Sequence, residues 1–232
     1  VDIVTQLGFF PANSTVKDRI YASFIAFLLV SLACLFFILN PAAAQAETIP
    51  KRIVVLGDSL TSGYGLESGY GFPEQLETIL NEDGYNVKIE NAGISGDTTA
   101  GGLSRYEWSI EGDVKPSLVI VALGANDMLR GLPVDQTKSN LSAIIKGIQS
   151  KDIPVLLAGM RAPLNYTGLF SKGFNSIYPN IAEELDVELY PFFLEGVALK
   201  PALNQADGIH PNRDGVKVMA DNIKPYVVKF LK

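Results

Sequence analysis

Ser59 stands in Gly57-Asp58-Ser59-Leu60, directly after the apolar run Ile53-Val54-Val55-Leu56. The sequence holds a single histidine, His210, in Asp207-Gly208-Ile209-His210-Pro211-Asn212. A serine hydroxyl becomes a useful nucleophile only when a base takes its proton, and imidazole does this best near neutral pH. The base in turn needs a carboxylate to fix its tautomer and to stabilise the cation it becomes. Asp207, three residues before His210 across a glycine-containing turn, is placed to be that carboxylate. Each piece also has a plainer reading. Asp58 and Ser59 suit the cap of a following helix, and Asp207-Gly208 suits a turn ahead of a helix starting near Asn212.

Joining these pieces requires a scaffold that brings distant segments together. Val54-Val55-Leu56 ends a short buried strand, and Val87 to Glu90 makes a second, less apolar strand suited to an edge. Leu118-Val119-Ile120-Val121-Ala122-Leu123 is the most apolar strand after residue 46 and is expected at the centre of a sheet. Pro154 to Ala158 and Val187 to Tyr190 supply two more. Between them lie helical patterns: Phe72, Leu76, Ile79 and Leu80; Leu103, Tyr106 and Ile110; Leu141, Ile144, Ile145 and Ile148; Phe170, Phe174, Ile177, Ile181 and Leu185. Val216, Met219, Ile223 and Val227 mark a closing helix, with Pro179 and Pro225 expected to disturb the last two. Strands alternating with helices predict an α/β protein with a parallel sheet covered on both faces. A three-layer α/β/α, flavodoxin-like arrangement of five strands in the order 2-1-3-4-5 follows naturally. In that order strands 1 and 3 are neighbours, and Ser59 and Asn126 would share the crevice at their carboxyl ends.

Four segments together are more specific than any one of them. Gly57-Asp58-Ser59-Leu60, Gly96 after Asn91-Ala92-Gly93, Gly124-Ala125-Asn126-Asp127 and Asp207-Gly208-Ile209-His210-Pro211 resemble the four motif blocks of the SGNH (GDSL) hydrolases, in the family's order. The likeness is greatest to the bacterial periplasmic thioesterase I/lysophospholipase L1/arylesterase branch, as in Ser95-Gly96-Asp97-Thr98, Ile177-Tyr178-Pro179 and Pro191-Phe192-Phe193. The resemblance implies Ser59 as nucleophile, His210 as base and Asp207 as its orienting acid. It implies an oxyanion hole from the N–H groups of Ser59 and Gly96 and the side-chain amide of Asn126. Elementary chemistry agrees: a serine opening a helix has an unpaired N–H, glycine permits close backbone approach, and asparagine donates without charge. Asp58 and Asp127 are read as bracing the turns, Asp97 as a helix cap with Thr98, and Trp108 as a packing residue. The implied activity is hydrolysis of acyl esters and thioesters, lysophospholipids among them. Met128, Leu129, Leu132, Pro163, Leu164 and Tyr166 would line the acyl groove, and Arg130 and Arg161 stand in loops at the same edge. A carbohydrate O-acetylesterase of the same fold, and a non-catalytic ligand-binding domain of flavodoxin type, are the alternatives.

The beginning of the chain is of another kind. Residues 20–39 carry no charge, Lys17 and Arg19 precede them, and Ala44-Gln45-Ala46 follows. This predicts a secretory signal peptide cleaved after Ala46, or an uncleaved membrane anchor. Either way residues 47–232 form one hydrolase domain in the periplasm or outside the cell, touching a membrane only through an uncleaved leader. Cys34 is the only cysteine, so that domain has no thiol to lose in an oxidising compartment. The formal net charge is -6, and no basic cluster suggests nucleic acid. One histidine and no cysteine after residue 46 leave too few ligands for a catalytic zinc. No cofactor is called for, and a monomer is expected.

Overall fold

The structure, a computed structural model, describes residues 15–39, 49–163 and 168–232, with the backbone alone at 18, 19, 22, 26 and 32–39. Two compact units result, Val1–Thr48 and Ile49–Lys232. In the first, helix α1 (Val16–Leu39) carries the uncharged run. Among the described residues no helix is long and apolar enough to cross a membrane. The expected cleavage site at Ala44-Gln45-Ala46 lies outside the described residues.

The second unit is a parallel sheet in the order β2-β1-β3-β4-β5. Its strands are β1 (Lys51–Gly57), β2 (Val87–Gly93), β3 (Leu118–Ala122), β4 (Val155–Ala158) and β5 (Glu188–Tyr190). β1 and β3 are buried on both faces, which is why their β-branched residues run without alternation. β2 is an edge strand and alternates at first, with Val87 and Ile89 buried and Lys88 and Glu90 exposed. It runs three residues beyond the expected end, because Asn91, Ala92 and Gly93 pair with Val55, Leu56 and Gly57.

Helices α3 (Phe72–Glu82) and α8 (Arg213–Val228) pack on each other, while α6 (Val134–Gln149) packs on α4 (Thr99–Ile110) and α7 (Gly168–Leu185). The expected apolar stripes are the buried ones: Leu141, Ile144, Ile145 and Ile148 in α6, and Val216, Met219, Ile223 and Val227 in α8. Neither proline ends its helix. α7 runs through Pro179 and α8 through Pro225, since buried residues on both sides of each turn hold the helix in place. Trp108 departs from expectation. It is 74% exposed on the outer face of α4, while Leu103 and Tyr106 supply that helix's partly buried side.

Arg52, 7% exposed, fastens this scaffold at the start of β1. Its guanidinium donates to both oxygens of Glu90, at 2.8 and 2.6 Å, and to the carbonyls of Ile110, Val114 and Glu111. Arg52→Met strands three carbonyls and one carboxylate, so urea unfolding should show a loss of about 3 kcal/mol. A loss below about 0.5 kcal/mol would mean that water replaces the guanidinium at little cost.

Candidate active site

The sheet register places the site. Gly57 of β1 stands opposite Gly93 of β2 and Ala122 of β3, so three strands end level. The segments leaving them must therefore meet at one edge. After Gly57 the chain turns into the single-turn helix α2 (Ser59–Ser62), capped by Asp58, whose Oδ1 accepts from Leu60 N–H at 3.0 Å. With four residues, α2 contributes little dipole; the N–H of Ser59 at its start matters instead, since those of Leu60, Thr61 and Ser62 are taken up by Asp58. After Gly93 comes the loop through Gly96, whose φ of +84° is a left-handed conformation that suits glycine. After Ala122, Gly124 opens the short helix α5 (Ala125–Leu129), which carries Asn126. Residues 125–129 are thus helical rather than an open loop.

The fourth segment returns from the far end of the sequence. A turn at Gly208 follows Asn204 and Gln205, and Gln205 N–H donates to the carbonyl of His210 at 2.7 Å. Asn212 then caps α8 by accepting from Gly215 N–H. The plain reading of this stretch, a turn and a helix start, is thus correct and compatible with the chemical one. Asp207 Oδ1 accepts from the N–H groups of Ile209 and His210, both at 3.0 Å, and Oδ2 meets His210 Nδ1 at 2.7 Å. The His210 backbone N–H first, then its ring and Ile209 N–H, hold the Asp207 carboxyl down to about 2. It is therefore ionised wherever imidazole titrates. His210 Nε2 lies 2.9 Å from Ser59 Oγ, across 151 residues of sequence. The structure brings Ser59, His210 and Asp207 into one hydrogen-bonded chain.

Gly96 and Asn126 arrive beside them. The N–H groups of Ser59 and Gly96 donate to no group among the described residues. Asn126 Nδ2 donates to the carbonyl of Asp97 at 2.9 Å and stands 3.4 Å from Asp58 Oδ2, a long contact for an amide donor. One of its N–H groups is thus weakly held. Asp127 Oδ2 accepts from Thr99 N–H and Oδ1 from the hydroxyls of Thr99 and Thr137, tying α5 to α4 and α6. Thr98 alone caps α4. Asp97, expected to share that role, pairs instead with Arg105 Nε at 2.6 Å. Arg105 is the residue that sequence reasoning missed. It donates also to the carbonyls of Ala92 and Gly57, bracing the ends of β1 and β2 from inside α4. Its only signal was a lone arginine eight residues after Asp97.

A cavity of about 420 Å³ opens onto Ser59 and His210. Met128, Leu129 and Pro163 line it as expected, but Leu132 does not, and Leu164 and Tyr166 lie outside the described residues. Phe192, Leu194 and Leu199, from the segment after β5, complete the apolar wall. Arg161 lines the cavity near Glu195, at 3.9 Å, whereas Arg130 is engaged with the carbonyl of Gly96 at 2.7 Å. A larger cleft of about 620 Å³ at the amino ends of β4 and β5 contains neither serine nor histidine. Among the described residues no group of three or more His, Cys, Asp or Glu could hold a metal ion.

Fold and sheet edge together define an SGNH-type hydrolase, and comparison with known proteins makes that specific. Residues 55–218 match the GDSL-like Lipase/Acylhydrolase family, and the chain belongs to it. It is a carboxylic ester hydrolase of the SGNH esterase/thioesterase group. It is 41% identical to an arylesterase of Vibrio mimicus over 197 residues, covering 85% of this chain and 96% of the relative. To the thioesterase 1/protease 1/lysophospholipase L1 of Escherichia coli K12 it is 40% identical over 180 residues, 77% of this chain and 82% of that one. The crystal structure of AlinE4, an SGNH-hydrolase family esterase, superposes with a TM-score of 0.68 at 45% identity, over 81% of this chain and all of that one.

Asp58 is fully buried, and burial raises its carboxyl to about 6 against the opposing pull of Leu60 N–H and of His210. A carboxyl that titrates near 4 unfolded and near 6 folded binds more protons in the fold between those values. Stability from this group is therefore full below about pH 4 and falls as pH rises towards 6, by about 3 kcal/mol in all. Melting curves of Asp58→Asn should lack that slope, so the wild type gains on the variant as pH falls from 6 to 4. The opposite trend would show the folded carboxyl to be no harder to ionise than a free one.

Proposed function

We propose that this chain hydrolyses acyl esters and thioesters through an acyl-enzyme on Ser59. The observation that carries this reading is the continuous chain Ser59 Oγ, His210 Nε2, His210 Nδ1, Asp207 Oδ2, with links of 2.9 and 2.7 Å, at the mouth of an apolar cavity. Ser59 Oγ attacks the carbonyl carbon while its proton passes to His210 Nε2. Asp207 holds the Nδ1 proton and stabilises the imidazolium. The carbonyl oxygen, now negative, accepts from the N–H groups of Ser59 and Gly96 and from Asn126, whose long contact with Asp58 is the one it can give up. His210 then returns its proton to the departing oxygen or sulfur. Water, deprotonated by the same nitrogen, releases the acid from Ser59.

The cavity's aliphatic and aromatic walls favour an acyl chain over a sugar, so aryl esters, acyl thioesters and lysophospholipids are the substrates we propose. Against p-nitrophenyl esters of increasing length, turnover should persist to octanoate. A peak at acetate with collapse by octanoate would instead indicate a carbohydrate O-acetylesterase. We further infer that residues 1–46 deliver the domain to the periplasm or the exterior. N-terminal sequencing of exported protein should begin at Glu47, whereas full-length protein in the membrane fraction would identify an anchor.

A fluorophosphonate probe should label the wild type and leave Ser59→Ala unlabelled. Asn126→Ala should lower kcat by about 10²–10³-fold. Asp207→Asn should cost on the order of 10⁴-fold, because the amide favours the wrong imidazole tautomer. Equal labelling of Ser59→Ala, or full activity in Asp207→Asn, would refute the assignment.

A further inference from the structure

The edges of the His210 ring are occupied by Ser59 and Asp207, which leaves its faces. Tyr64 covers one of them, with ring centroids 4.5 Å apart and planes inclined by 39°. Tyr64 is 52% exposed, an unusual place for an aromatic ring held for packing alone. Its position is nonetheless tightly specified. Gly63 and Gly65, with φ of +79° and +72°, flank it and turn the chain out of α2 toward the base. Tyr64 N–H donates to the carbonyl of Ser59, at 3.4 Å, so the residue is tethered to the nucleophile's own turn. Its carbonyl accepts from Gln205 Nε2 at 2.8 Å, and the same amide reaches the carbonyl of Pro211 at 3.0 Å. Gln205 N–H meanwhile holds the carbonyl of His210. A Cβ on Gly65 would run into the Gln205 amide, so the contact between the two loops is close.

We infer that Tyr64 is a positioning residue for His210, whose ring face fixes the imidazole plane between Ser59 and Asp207 and favours the imidazolium formed during acyl transfer. The inference rests on the hydrolytic reading above. An aromatic face carries a negative quadrupole, and a cation within about 6 Å of its centroid is attracted to it. The neutral imidazole gains less from that face than the imidazolium does, so the interaction strengthens as Ser59 gives up its proton. The other charged groups acting on the ring are Asp207, on Nδ1, and Asp58, whose charge is coupled to it through the site. Both stay in place when Tyr64 is changed. Gln205 serves the same end indirectly, as the clamp that keeps the aromatic loop and the base loop in register.

Because His210 is the only histidine, its ring protons give isolated NMR signals in the full chain. Tyr64→Leu keeps an apolar cover of similar reach but removes the quadrupole, Tyr64→Phe removes only the hydroxyl, and Tyr64→Trp presents a stronger face. The titration midpoint should fall by about half a pH unit in the leucine variant, hold in the phenylalanine variant and rise in the tryptophan variant. In step with it, kcat of Tyr64→Leu should drop about threefold with KM unchanged, and the acid limb of kcat/KM should move to lower pH. A merely structural tyrosine would move neither. The phenylalanine and tryptophan variants keep the test decisive if the leucine variant folds poorly. Equal midpoints across the folded variants, or unchanged kcat in a folded Tyr64→Leu, overturn the inference. Full turnover in Ser59→Ala and His210→Ala would overturn instead the hydrolytic reading beneath it.

Discussion

Everything at the reactive edge depends on how β1 is paired. It is hydrogen-bonded to β2 on one side and β3 on the other, with Gly57 opposite both Gly93 and Ala122. A parallel strand shifted by one residue turns every side chain to the other face, and buried β1 and β3 could not tolerate that. Close packing on both faces thus enforces the register, and the register fixes where three loops begin. Ser59, Gly96 and Asn126 need only short excursions from those level ends to converge. Short excursions leave little freedom, which is what a preformed hydrogen-bonding site requires.

Electrostatics sets the second condition. The proposed oxyanion site lies among Asp58, Asp97 and Asp127, and Asp58 feels the charges of the other two. Three carboxylates there would oppose the developing charge unless that charge is offset, and each is held differently. Asp97 is paired with Arg105. Asp127 accepts three hydrogen bonds from two threonines, spreading its charge into α4 and α6. Asp58 has a single strong donor in Leu60 N–H, and burial pushes it toward the neutral acid. The carboxylates hold the turns that carry the donors, and their partners keep that bracing from acting against catalysis.

Much of this could be read in the sequence because it is local or periodic. The strands and their parallel pairing follow from unbroken apolar runs separated by helical stripes, and their order from the flavodoxin-like arrangement such a pattern favours. Asp207 and His210 lie in one turn, where spacing alone implies contact. The joining of His210 to Ser59 was legible only through the combination of four segments, since no local rule spans 151 residues. What escaped notice depended on long-range geometry. Arg105 acts through the carbonyls at the ends of β1 and β2, which only the folded chain brings within its reach. The apolar wall at Phe192 and Leu199 comes from a stretch with no periodic pattern. Trp108 was misplaced because a large aromatic on an amphipathic helix is ordinarily assigned inward, and only the rotation of α4 decides otherwise.

The two halves of the Ser59–His210–Asp207 chain are built by different means. The Ser59 turn is buried and closed on itself: Leu60, Thr61 and Asp58 have almost no exposure, and the carbonyl of Asp58 accepts from the N–H groups of Thr61 and Ser62 and from the Thr61 hydroxyl. The His210 loop lies at the surface and is held by its own backbone, with Asp207 capping Ile209 and His210 and Gln205 closing on the His210 carbonyl. Such a loop keeps Asp207 and His210 aligned with each other whatever the rest of the molecule does. It does not by itself fix where that pair stands relative to Ser59. That relation is set by the few contacts that cross the gap, namely the Ser59 hydrogen bond, the Tyr64 ring and the Gln205 amide. The cavity opens beside this seam, so the alignment on which the proposed proton transfer depends is also the one least supported by the core.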